Sequence, residues 1–147
     1  EVEPVIGGLV RTFEKIYGDR ELVFAAEVEP GLKFRGERQD FEEIIGNLLD
    51  NAGKWASGRV EIRALRETAA GAGRPEFEIT IDDDGPGLPG ETRAQALARG
   101  RRLDETKPGS GLGLSIVSDL VAVHGGGVTL EDSPLGGLRV RLRLPVV

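Results

Sequence analysis

The sequence holds no cysteine and no methionine, a single histidine, and only 5% aromatic residues over 147 positions. Without cysteine, disulfides and thiolate metal sites are excluded, and the redox compartment stays unread. One histidine, His124, excludes most histidine-cluster metal chemistry. With few aromatics, Leu, Ile and Val must fill most of the interior. No apolar run is long enough to span a bilayer and no signal peptide opens the chain. A basic excess is also missing. The net charge of -6 argues against general nucleic-acid binding, although a local basic patch can still hold a small anion. Because Met is absent even at position 1, the expectation is an excised piece of a longer protein. What remains is ordinary: 39% hydrophobic and 30% charged residues, in a length that suits one domain with its own core.

Apolar spacing supplies the elements. Val5, Ile6, Leu9, Val10, Phe13 and Ile16 recur at helical spacing, closed by Gly18-Asp19. Leu22-Val23-Phe24 reads as a short strand, turned by Glu29-Pro30-Gly31 into a second extended piece around Leu32 and Phe34. Helical period returns from Arg38 to Trp55. Val60, Ile62 and Ala64 alternate with charged residues, as do Phe77, Ile79 and Ile81, with an Ala- and Gly-rich hairpin loop from Thr68 to Pro75 between them. A polar stretch reaching Lys107 is too long for a tight turn. Leu112 to Val121 reads as a third helix, ended by Gly125-Gly126-Gly127. Val128 to Leu130 and Leu138 to Leu144 read as a closing antiparallel pair. Helices and strands in this order suit an α+β sandwich with helices on one sheet face.

Three polar features stand out. On the long helix, Glu43, Asn47 and Asn51 recur every four residues and Lys54 follows, so all four share one stripe. A solvated face is one reading. The other is a site for a hydrated divalent cation and phosphates, because hard cations take oxygen ligands and Asn is a poor interior helix former. Asp83-Asp84-Gly85-Pro86-Gly87 follows a strand directly. It suits an ordinary turn, but a carboxylate there can also accept from the exocyclic amine of adenine, with glycines admitting a flat ring. Gly109-Ser110-Gly111-Leu112-Gly113-Leu114 opens a helix, where bare N–H groups and the helix dipole make an anion site. No strand precedes these glycines and no Gly-Lys-Ser/Thr follows, which disfavours Rossmann and P-loop readings.

In chain order these three features resemble the signature of the GHKL ATP-binding superfamily, which includes histidine kinases, gyrase-type topoisomerases, MutL-type repair proteins and heat-shock chaperones. Asn47 to Ala52 resembles the kinase N box, Asp83 to Gly87 the G1 box and Gly109 to Leu114 the G2 box. The closing Leu135-Gly136-Gly137 and Leu142-Arg143-Leu144-Pro145 are similar to the end of such domains. Gly100-Arg101-Arg102-Leu103-Asp104 leading to Pro108-Gly109 looks most like the PhoQ-type sensor kinases. The resemblance implies a Bergerat-type α+β fold: a two-layer sandwich of a mixed, mostly antiparallel sheet with about three helices on one face. Residues 1–147 would form a single ATP-binding catalytic domain, with 88–109 as a mobile ATP lid.

The same resemblance implies ATP and Mg2+ as ligands. Asn47 would ligate magnesium with Asn51 beside it, Glu43 would orient or deprotonate the attacking group, and Lys54 would neutralise phosphate charge. Asp83 would select adenine, and Gly85 and Gly87 would shape the base pocket. Gly109, Ser110, Gly111, Leu112, Gly113 and Leu114 would frame the triphosphate, with Arg99, Arg102 and Lys107 as lid cations. The lid lacks the phenylalanine of the family's F box, so Leu97 or Leu103 would serve there. His124, at the end of the third helix, matches a family histidine without catalytic duty. The implied activity is γ-phosphoryl transfer to a histidine on a separate dimerisation and phosphoacceptor hairpin of the same parent, in two-component signalling. A response regulator would be an indirect partner. The fragment would be cytoplasmic and monomeric, without direct membrane or nucleic-acid contact, its parent an inner-membrane receptor. Rival readings are a freestanding serine kinase of the anti-sigma-factor kind and a noncatalytic nucleotide-binding module.

Overall fold

Strand alternation decides which side of the sheet is dry. Val60, Ile62 and Ala64, then Phe77, Ile79 and Ile81, then Leu138, Val140, Leu142 and Leu144 are all buried in one cluster. Residues two apart share a sheet face, so each set points the same way. The computed structural model describes residues 2–18, 22–66, 76–86 and 112–145, with 112 and 113 described by backbone alone. The elements are α1 (Val2–Ile16), β1 (Val23–Val28), α2 (Arg38–Trp55), β2 (Arg59–Arg66), β3 (Glu76–Asp83), α3 (Leu112–Val123), β4 (Gly127–Asp132) and β5 (Leu138–Pro145). The five strands form one sheet in the order β1-β2-β3-β5-β4. β1 pairs parallel to β2, and the other three pairings are antiparallel.

All three described helices contribute to that cluster: Val2, Val5, Ile6 and Val10 from α1, Phe41 to Ala52 from α2, and Leu114, Val117 and Val121 from α3. The sheet and the helices make the two layers of an α+β sandwich. The opposite sheet face is ionic: Arg63 pairs with Glu27, Arg139 with Asp82, and Arg141 with Glu131 and Glu78. Such pairs keep the uncovered face polar more than they stabilise it. No helix among the described residues is long and apolar enough to cross a membrane.

One expected element is not a strand. The stretch around Leu32 and Phe34 does not fold back on β1 as a hairpin. The Leu32 carbonyl accepts from Val2 N–H at 3.0 Å and Arg35 N–H donates to the Pro145 carbonyl at 3.0 Å, so the segment ties α1 to the end of β5. β1 instead finds its partner across α2, because parallel strands need a crossover and a local apolar pattern cannot name a distant partner. The expected loop from Thr68 to Pro75 lies outside the described residues, although the β2–β3 pairing that flanks it is antiparallel.

The glycine run ends α3 as its spacing suggests. Gly125 takes φ of 78°, its N–H reaches the Ala122 carbonyl, and Gly126 N–H reaches the Val121 carbonyl at 2.9 Å. That pair of bonds is a Schellman cap with glycine in the left-handed position. His124, just before it, places Nε2 2.9 Å from Asp40 Oδ2 and meets the Phe34 ring edge-on. A histidine so enclosed fastens α3 to the first turn of α2. Leu49 is fully buried on α2. Leu49→Ala should therefore lower unfolding free energy by about 2–5 kcal/mol in urea titrations.

Candidate functional site

Three consecutive aspartates end β3, and alternation sends them to three different places. Asp82 points to the ionic face and is held by Arg139 through contacts of 2.8 and 3.1 Å. Asp83 falls on the same side as Phe77, Ile79 and Ile81, in register with Val60, so its carboxylate enters the apolar layer between sheet and helices. Only 5% of Asp83 is exposed. Oδ1 accepts the Gly85 N–H at 2.9 Å and the Leu138 N–H at 3.3 Å. Oδ2 takes no hydrogen bond from the described residues. Burial pushes this carboxyl above its ordinary value, against the two N–H bonds that pull it down, and the neighbouring Asp84 and Asp82 charges add to the rise.

The backbone around Asp83 is closely fitted. Gly137 N–H donates to the Asp83 carbonyl at 3.1 Å. A Cβ on Gly137 would sit 2.2 Å from Asp83 Oδ1, and one on Gly85 would sit 2.2 Å from the Trp55 carbonyl. Both positions therefore require glycine, and Gly85 brings the aspartate turn against the last turn of α2. Asp84 leaves the sheet. Burial pulls its carboxyl upward, but the N–H groups of Gly58, Arg59 and Ser57 outweigh that and leave it below the ordinary value.

From that junction the polar stripe runs back along α2. Trp55 abuts Gly85, and Asn51, Asn47 and Glu43 follow at axial steps of about 6 Å, four residues of helix each. Asn51 and Asn47 are half-buried and Glu43 is exposed. Asn47 Nδ2 donates to the Glu43 carbonyl at 2.8 Å, and its Oδ1 takes no hydrogen bond from the described residues. Lys54 lies 3.3 Å from Asp50, and Asp50 also accepts the Tyr17 hydroxyl at 2.7 Å. Leu114 is fully buried, so its side chain serves the core. Gly87, Arg99, Arg102, Lys107, Gly109, Ser110 and Gly111 lie outside the described residues, as do Leu97, Leu103 and the whole segment 88–109. Leu112 and Gly113 are described only as the first backbone units of α3.

No group of three or more His, Cys, Asp or Glu side chains suited to a metal occurs among the described residues. The donor set still fits magnesium. That ion keeps several waters and is commonly held by one or two protein oxygens together with substrate phosphates. The open Oδ1 of Asn47 is one such oxygen.

Residues 36–147 match the family model described as histidine kinase-, DNA gyrase B-, and HSP90-like ATPase. The chain belongs to this ATPase family. It is 44% identical over 138 residues to the sensor protein kinase CarS of Pseudomonas aeruginosa, covering 94% of this chain and 29% of CarS. To the virulence sensor histidine kinase PhoQ of Salmonella typhimurium it is 35% identical over 141 residues, covering 96% of this chain and 28% of PhoQ. The chain thus spans less than a third of these curated relatives. Among solved structures, mycobacterial sensor histidine kinase MprB superposes with a TM-score of 0.82 at 29% identity, covering 98% of this chain and 95% of that one. Full-length ShkA in complex with AMPPNP gives 0.80 at 26% identity, covering 100% of this chain and 30% of that one. The expected family, fold class and likeness to PhoQ-type kinases are borne out.

Sequence reading missed three parts of this ATPase-family site. Asp84 sits inside the recognised motif, but only the fold shows that its carboxylate faces a different loop from that of Asp83. Gly137 reads in the sequence only as part of a closing motif, whereas the fold sets its backbone against Asp83. Tyr17 carries no signal, because a tyrosine at a helix end is usually core, and Asp50 lies inside the Asn47 to Ala52 box without a role of its own.

The raised titration of Asp83 fixes a sign. A carboxyl whose folded value lies above its unfolded one adds most to stability below the ordinary 3.8, and loses that contribution as pH rises through the folded value. At neutral pH Asp83 therefore burdens the fold. Asp83→Asn, which keeps an oxygen for both N–H donors, should unfold at equal or higher urea concentration than the parent at about pH 7. That advantage should shrink as acid protonates Asp83 in the parent, from a pH above the ordinary carboxyl value downward.

Proposed function

We propose that this chain binds Mg-ATP and supplies the γ-phosphoryl group to a histidine on a separate phosphoacceptor domain of a sensor kinase. The observation that carries the reading is Asp83: a carboxylate in an apolar layer, one oxygen tied by two N–H groups and the other left without a described donor. A buried acceptor without a described donor favours a ligand that brings one, and the amine of adenine is such a group. Family membership and the sensor-kinase relatives support the same ligand.

In this reading the base lies at Asp83 against Gly85 and Gly87, and the triphosphate extends along α2. Asn47, with Asn51 beside it, would hold magnesium, which when bound supplies positive charge to the β- and γ-phosphates. Lys54 would exchange its Asp50 partner for phosphate. Glu43, exposed at the far end of the stripe, would orient the incoming imidazole and take its proton. The P–O bond to the β-phosphate breaks, a P–N bond to the histidine forms, and ADP leaves. Such transfer depends on positioning and charge neutralisation. Gly109, Ser110, Gly111 and Gly113 would cradle the phosphates by backbone N–H, and segment 88–109 would close as the lid, with Arg99, Arg102 and Lys107 as its cations. Residues 1–147 would act as one catalytic domain, and the parent would pass the phosphoryl group to a response regulator from a cytoplasmic position.

Calorimetry should show ATP and ADP binding, with ATP strengthened by magnesium and GTP much weaker. Asp83→Ala should weaken ATP by about tenfold or more, the scale of one buried hydrogen bond to a charged group. Asn47→Ala should remove the magnesium enhancement. Incubated alone with radiolabelled ATP, the chain should label itself little or not at all. Mixed with a phosphoacceptor hairpin of a CarS-like kinase, it should yield an acid-labile phosphohistidine. An acid-stable phosphoserine would overturn the assignment.

A further inference from the structure

Asp84 has no part in the chemistry above, yet its carboxylate makes four hydrogen-bond contacts to three successive backbone N–H groups. Its Oδ1 accepts the N–H groups of Ser57 at 2.8 Å, Gly58 at 2.9 Å and Arg59 at 3.1 Å, and Oδ2 accepts Gly58 N–H at 3.1 Å. Its own N–H donates to the Arg59 carbonyl at 3.3 Å. These partners are the joint between α2 and β2, directly after the last turn of the helix that carries the polar stripe. Asp83 and Gly85, the covalent neighbours of Asp84, are the recessed carboxylate and the glycine against the Trp55 carbonyl.

We propose that Asp84 is a positioning residue for nucleotide selection, fastening the end of α2 to the end of β3 so that the Asp83 carboxylate keeps a fixed distance from the α2 stripe. This rests on the reading of Asp83 as the adenine acceptor. A carboxylate suits the task because its two oxygens gather three successive N–H groups at once, which water or a hydroxyl cannot do. Its lowered titration agrees, since N–H donors favour the charged form. Without the clasp, β3 and α2 are still held by core contacts, so the layers remain while the base recess loosens. Small displacements at a recognition group carry large penalties, about a hundredfold for roughly 1 Å in catalysis.

The test compares the parent with Asp84→Ala and Asp84→Asn. Kd for ATP and for GTP is measured by calorimetry at a temperature where circular dichroism shows each variant folded. Asp84→Ala should weaken ATP at least about tenfold while changing GTP little, so that the ATP/GTP preference falls. Asp84→Asn, which keeps an acceptor oxygen for the joint, should recover most of that preference. If Asp84→Ala does not fold, Asp84→Ser, with one hydroxyl for three donors, is measured in its place with the same expectation. A lowered melting temperature with an unchanged ATP/GTP ratio would overturn the proposal, leaving Asp84 a purely structural cap. Failure of the parent to bind ATP at all would instead overturn the reading of Asp83, so the two failures are distinguishable.

Discussion

An aspartate carboxyl buried inside an apolar layer is the condition on which the rest of this architecture turns. Left alone, Asp83 would cost the fold several kcal/mol and would tend to neutralise itself. Its Oδ1 is satisfied from two directions, by the turn that follows it and by the start of β5. Meeting that demand dictates two glycines. Gly85 must lie on the Trp55 carbonyl, and Gly137 must lie on Asp83 itself, at distances no Cβ permits. Sequence separation is no barrier, since β5 is already the sheet neighbour of β3. The closing β4–β5 turn, which looks like a mere ending, sets the Gly137 backbone directly against Asp83.

The helical layer answers a second need, a fixed axial setting for α2. Its apolar face, Phe41 through Ala52, gives affinity for the sheet, but aliphatic packing discriminates weakly between small slides along the axis. Polar ties discriminate better, because hydrogen bonds are lost within an ångström. Asp40 meets His124 at the first turn, Asp50 meets the Tyr17 hydroxyl in the middle, and the joint after Trp55 meets Asp84. Gly53 belongs to the same set, since a Cβ there would sit 2.6 Å from the Tyr17 ring. Each tie reaches a different element: α3, the end of α1, and the end of β3.

Much of this was legible in the residues. The bounds of α2, the antiparallel β2–β3 and β4–β5 pairs and the glycine stop of α3 follow from apolar period and backbone chemistry, which act over a few residues. The boxes around Asn47 and Asp83 were legible because their residue types contradict their elements: amides inside a helix, aspartates ending an apolar strand. What the residues hid were the partners. Nothing local in Leu32 to Phe34 says that β1 will pair with β2 across a helix, and although the motif marks Asp83, nothing in the residues assigns Asp82 and Asp84 their separate partners. That division needs the strand's parity and the position of its end, which are properties of the sheet.

The three aspartates show why such a motif tolerates no shift of register. Moving β3 by one residue would send Asp83 to the ionic face and Asp82 into the core. Arg139 opposes that shift, because it pairs with Asp82 from the cross-strand position of β5. The clasp of Asp84 on residues 57–59 opposes it from the other side. An ionic outer face contributes little to stability as a set of pairs. Here one of those pairs acts on register, and through register on which aspartate faces the helical layer. The outer face of the sheet thereby helps to decide which carboxyl the inner face presents.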